Sequence, residues 1–184
     1  SDWTPSPPFV DFLETGDPPI FIGFGSMSMA DPHKTTDTLL EAVERSGKRA
    51  ILHAGWAELR TADLPKSIFS LDYAPYAWLF PRMAAIIHHG GSGTTGFALR
   101  SGVPSMVVPF TADQPFWGER THQLGVGLPP LAFSHLSAER LASAIRTLCE
   151  DESLRQRAHQ LAAAMADEQG VERTGAIINR FLSA

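Results

Sequence analysis

Cysteine is nearly missing from this chain. Cys149 is the only one in 184 residues, so no internal disulfide can form. That usage fits a reducing compartment, and Cys149, within Leu148-Cys149-Glu150 on a predicted helix, reads as a buried structural thiol. Basic runs are missing too, and the formal net charge is −5, which argues against nucleic acid as the main partner. No apolar stretch reaches the roughly 20 residues of a membrane span. No signal peptide is present, so a cytoplasmic location is expected. There is no initiator methionine, and residues 1–8, rich in proline, read as a linker. The chain is therefore expected to begin within a longer protein.

What is present is an ordinary globular composition, 43% hydrophobic and 19% charged, long enough for a single domain over residues 1–184 with a substantial core. Apolar runs at 20–24, 48–53, 67–71, from 84, and at 104–109 read as buried strands. They carry little polar alternation, as in a parallel sheet. Helical stretches separate them. Asp31-Pro32 caps and opens one that Gly47 ends. Others are expected at 77–82, from Thr95 to Gly102, at 116–124, after Ser137, at 151–167 and at 171–182. Pro5, Pro7 and Pro8 disfavour regular structure and leave one helical turn at 9–13. The alternation predicts an α/β fold: a Rossmann-like parallel sheet with helices on both faces.

The chain is organised around His88-His89-Gly90-Gly91-Ser92-Gly93-Thr94-Thr95. An apolar strand leads in and a helix leads out. Glycine allows close backbone approach and φ > 0, and free N–H groups at a helix start attract phosphate. The octapeptide reads equally as a diphosphate cradle or as a plain glycine-rich turn. Three more clusters fall at predicted strand ends: Gly25-Ser26, Gly55-Trp56 with Tyr73-Ala74-Pro75, and Asp113-Gln114. In a parallel sheet those ends share one edge, where ligands bind. Amides and hydroxyls suit a diphosphate, an aromatic face suits a planar base, and a carboxylate beside a carboxamide suits sugar hydroxyls.

These blocks, with Gly102-Val103-Pro104 and Pro109, resemble the donor-binding signature of nucleotide-sugar-dependent glycosyltransferases of the GT-B fold. The strings Trp78-Leu79-Phe80-Pro81-Arg82 and Asp113-Gln114-Pro115-Phe116-Trp117-Gly118 are similar to the sterol 3-beta-glucosyltransferase branch. The resemblance runs from Trp3 to the last helix and covers the C-terminal half of such an enzyme.

It implies that His89, Gly91, Gly93, Thr94 and Thr95 hold the diphosphate, with Ser26 facing it. Tyr73 would stack on uracil and Ala74 would offer its backbone to the base. Asp113 and Gln114 would bind the transferred sugar. Trp56 and Trp117 line the pocket or pack in the core, and Asp113 could instead cap the helix that follows it. His88 reads as structural. The implied donor is a UDP-sugar, UDP-glucose first. The implied acceptor is a lipophilic hydroxyl compound such as a sterol, held with the catalytic base by an N-terminal domain that this chain does not contain. No catalytic residue is expected here. Peripheral membrane contact would belong to the full-length protein. No Asp-x-Asp pair occurs, which fits a site with no metal or other cofactor. Phe97 stands where plant members carry a ribose-binding glutamate, and Tyr76 where they carry glutamine. Two other readings fit the same residues: a non-catalytic nucleotide-sugar-binding module, and half of a sugar-nucleotide epimerase.

Overall fold

The computed structural model describes residues 3–53 and 64–182. Within them the chain runs α1 (Pro7–Glu14), β1 (Ile20–Gly23), α2 (Pro32–Ser46), β2 (Ala50–His53), β3 (Ile68–Leu71), α3 (Tyr76–Leu79), β4 (Ala85–His88), α4 (Ser92–Ser101), β5 (Ser105–Val107), α5 (Gln114–Gln123), α6 (Ala138–Glu150), α7 (Glu152–Ala166) and α8 (Gly170–Leu182). Single 3-10 turns follow α3 and precede α6.

The five strands form one sheet in the order β3-β2-β1-β4-β5. Every neighbouring pair is parallel. The strands are buried runs of Ile, Phe, Leu and Ala, which suit a sheet covered on both faces. Ile20, Ile22 and Ile87 pack on one face with Leu39, Val43, Leu141 and Ile145 from α2 and α6. Phe21, Ile51 and Ile86 pack on the other with Phe9, Leu79, Phe80 and Ala98.

The strand order matters for function. From β1 the chain first moves to β2 and β3, then crosses back to β4 and β5. The loops leaving β1 and β4 therefore diverge, and a crevice opens between them at the carboxyl edge of the sheet. Gly23 and His88 are register partners at that edge.

Local signals explain most boundaries. Asp31 accepts a hydrogen bond from the Lys34 amide at 2.9 Å, Pro32 takes the first helical position, and Gly47 ends α2 at φ 68°. Ser137 and Asp151 cap α6 and α7 through their side chains. Four expectations need correction. Pro7 and Pro8 open α1 instead of preventing it, because proline fits the first helical turn, where an N–H is unbonded anyway. α4 begins at Ser92, three residues before Thr95, so most of the glycine-rich stretch is a helical turn. α5 begins at Gln114, not Phe116. Cys149 is half-buried, not fully buried. It lines a hollow at the opposite edge of the sheet, away from the crevice.

No described helix is long and apolar enough to cross a membrane. α8 buries none of its residues, and Val171, Phe181 and Leu182 are exposed on it.

Candidate functional site

The crevice is built on the turn from β4 into α4. His88 is fully buried at the end of β4, and its Nδ1 accepts a hydrogen bond from the Gly90 N–H at 3.1 Å. That bond requires the neutral tautomer with the proton on Nε2. Burial pushes the His88 pKa down to about 3, with the neighbouring His89 adding to the effect. Gly90 takes φ 94°, a left-handed conformation, and a Cβ there would meet Val107 Cγ1 at 2.5 Å. The turn is thus shaped by a buried imidazole and by a glycine that nothing else can replace.

The N–H groups of Ser92, Gly93 and Thr94 open α4. The first intrahelical bond comes only after them, from the Thr95 amide to the Gly91 carbonyl at 2.9 Å. No side chain caps this helix. Three amides therefore point out of the helix start beside exposed Ser92 and Gly93, an arrangement suited to an anion.

His89 stands next to them. Its ring is wedged between two glycines: a Cβ at Gly25 would lie 2.8 Å from His89 Cε1, and a Cβ at Gly91 2.6 Å from Nε2. Gly25 belongs to the loop after β1, so the imidazole bridges the two sides of the crevice. Desolvation lowers the His89 pKa, and the Asp113 charge partly offsets this. Its Nδ1 is buried without a partner among the described residues. Ser26, in the same β1 loop, is exposed.

The other predicted residues divide. Tyr73 is 62% exposed and borders a hollow of about 370 Å³ with Ala74, Tyr76, Phe97 and His53. Tyr76 stacks on Phe80 at 4.4 Å between ring centroids and meets Phe97 edge-on at 6.1 Å. Both positions where polar ribose contacts were in question are therefore aromatic wall. Burial lowers the His53 pKa and raises that of Tyr76, so both are neutral near pH 7. Trp56 lies outside the described residues.

Two of the predicted residues are engaged within the fold. Thr95 is 1% exposed, its hydroxyl donates to the Gly91 carbonyl at 3.0 Å, and its amide is used as well. Its hydroxyl and its amide both bond to the helix start. Gln114 is 4% exposed, and its Oε1 accepts from the Phe110 and Thr111 amides at 2.7 and 3.1 Å. Its Nε2 donates to Met27 Sδ at 3.2 Å. The carboxamide ties the β5–α5 loop to the β1–α2 loop, as a buried amide needs partners. Asp113 remains exposed and does not cap α5 through its side chain; its Oδ2 accepts from Trp117 Nε1 at 2.7 Å. Ser92 was missed as a candidate, although it stands inside the octapeptide, because the helix start was placed after it. Among the described residues no group of three or more His, Cys, Asp or Glu is placed to hold a metal ion.

Residues 27–174 match the family described as erythromycin biosynthesis protein CIII-like, C-terminal domain. The chain belongs to that family. It is 44% identical over 172 residues to a sterol 3-beta-glucosyltransferase of Arabidopsis thaliana, which covers 93% of this chain and 27% of the relative. It is 37% identical over 179 residues to the O-mycaminosyltylonolide 6-deoxyallosyltransferase of Streptomyces fradiae, covering 97% of this chain and 42% of that one. Among solved structures, glycosyltransferase VinC in complex with DTDP superposes with a TM-score of 0.73 at 25% identity, covering 92% of this chain and 43% of VinC. The fold is also that of the kitacinnamycin glycotransferase, with a TM-score of 0.75 at 21% identity over 98% of this chain and 45% of that one. This CIII-like domain thus spans about a quarter of the plant relative and less than half of the bacterial ones.

Proposed function

We propose that this CIII-like domain is the donor-binding half of an inverting glycosyltransferase. It takes a UDP-sugar, UDP-glucose first, for transfer to a hydroxyl of a lipophilic acceptor such as a sterol. The acceptor pocket and the base belong to an N-terminal domain outside residues 1–184. The observation that carries this reading is the uncapped start of α4: the amides of Ser92, Gly93 and Thr94 sit beside His89 at the crevice. The sterol-glucosyltransferase relative supports the acceptor class, and DTDP in the VinC structure supports a nucleoside diphosphate.

The chemistry follows from the arrangement. The acceptor oxygen forms a bond to the anomeric carbon as the bond to the diphosphate oxygen breaks. The acceptor proton passes to the base in the other domain. The diphosphate gains charge as it leaves, and preorganised N–H donors stabilise charge that develops where they already point. Here those donors are the α4 amides and the His89 ring. Tyr73 and the hollow beside it take the base, and Asp113 takes sugar hydroxyls.

Titration calorimetry of this chain with UDP tests the reading. Binding that weakens in His89→Ala supports it, whereas equal binding by the two proteins removes His89 from the site. Absence of binding by the wild-type chain overturns the donor-site reading as a whole.

A further inference from the structure

We propose that Trp117 is a positioning residue that holds the Asp113 carboxylate ready for the sugar, and so sets the preference of this site for a UDP-sugar over UDP. The proposal rests on the donor-site reading above. Asp113 occupies the cap position of α5, where a carboxylate ordinarily accepts a helix amide. Its backbone, at φ −81° and ψ −5°, is helical instead of extended, and no side-chain cap bond forms. The carboxylate goes to the indole, with Nε1 of Trp117 donating to Oδ2 at 2.7 Å. One turn of helix separates the two residues, which is the spacing at which side chains meet.

The loop before Asp113 is built to keep this arrangement. Ala112 takes φ 56°, the only non-glycine residue at positive φ among those described. A side chain rarely holds that conformation unless its surroundings impose it. Across Ala112, Gln114 holds the Phe110 and Thr111 amides through its Oε1. The Asp113 charge raises the His89 pKa against its desolvation.

An exposed aspartate samples several rotamers, and ordering it on binding costs affinity. The indole N–H removes that freedom on one oxygen and leaves Oδ1 to accept from sugar hydroxyls. UDP, which lacks the transferred sugar, gains nothing from this. The bond should therefore be worth about threefold to tenfold in UDP-glucose affinity and nothing in UDP affinity.

The test is calorimetry of this chain with UDP and with UDP-glucose. Trp117→Phe should leave UDP affinity unchanged and lower the UDP-glucose preference threefold to tenfold. In an Asp113→Ala background the same change should have no further effect. Nuclear magnetic resonance of the wild-type chain gives a second readout that needs no tryptophan variant. The Trp117 indole N–H signal should move on adding UDP-glucose and stay in place on adding UDP. An unchanged preference in Trp117→Phe, equal losses for both ligands, or an indole signal indifferent to the sugar would overturn the proposal. Failure of the wild-type chain to prefer UDP-glucose would instead overturn the assignment of Asp113 to the sugar.

Discussion

Gly91→Ala is the sharpest perturbation of the crevice, because it changes the site without straining the backbone. Gly91 sits at φ −59° and ψ 141°, which alanine adopts freely. The added Cβ, however, would lie 2.6 Å from His89 Nε2, where ordinary contact needs more than 3.4 Å. The ring must yield by close to an ångström. Movement toward the β1 loop carries it onto Gly25, where even an added Cβ would lie only 2.8 Å from Cε1. The imidazole therefore leaves its position beside the α4 amides.

A hydrogen bond to a charged group is worth about 1.5–3 kcal/mol, so displacement of the ring should weaken UDP binding by roughly tenfold to a hundredfold. Stability should change little, because no core side chain is touched. Gly25→Ala should weaken binding similarly but also lower the melting temperature. Its φ of 60° adds left-handed strain, about 1–2 kcal/mol. Gly96→Ala, further along α4, is the control, with nothing within 4 Å of its Cβ. It should keep both binding and stability. Calorimetry with UDP, alongside thermal melts, checks all three. If folded Gly91→Ala binds UDP as tightly as the wild type, the wedge between the glycines is irrelevant to the ligand and the reasoning fails.

Two further outcomes follow from buried polar groups. The His88 pKa lies at about 3 in the folded chain, below the ordinary value of 6.5. The unfolded chain therefore binds more protons, and the His88 contribution is complete above pH 6.5 and lost as pH falls toward 3. Urea unfolding at several pH values should show His88→Asn with a shallower acid loss than the wild type; an identical slope contradicts the assignment. Gln114→Ala leaves the Phe110 and Thr111 amides without their acceptor. It should cost about 1–3 kcal/mol in a denaturant titration, and a wild-type midpoint would show that the loop does not depend on the carboxamide.

The order of the strands' exits, and hence the crevice, was legible in the sequence because Gly, Pro and Asp punctuate fully apolar runs. Asp31-Pro32 and Gly47 each act on residues only three positions away or fewer, so their meaning survives without tertiary context. The loop-tying bonds of Gln114 were not legible for the opposite reason. Its partners are the amides four and three residues upstream and a methionine 87 residues away, and only folding brings them together. The bond of Thr95 to the Gly91 carbonyl was not legible either, because a threonine hydroxyl next to glycines suits a phosphate as well as a helix carbonyl. The same glycines hid the start of α4, since glycine is a poor helix former yet is tolerated in a first turn where the amides are unbonded anyway. The Asp113–Trp117 pair was one helical turn apart on the page, but its meaning depended on Asp113 not capping the helix, a matter of backbone angle that residue types do not reveal.

The central claim is that the start of α4 holds the diphosphate. Amide resonances of this chain, followed during addition of UDP, test it most directly. The account predicts that the largest shifts fall on Ser92, Gly93 and Thr94, with His89 beside them, and that inorganic diphosphate moves the same amides while leaving Tyr73 and Ala74 in place. Shifts centred elsewhere, such as on the hollow around Cys149 and His159 at the opposite edge of the sheet, would contradict it.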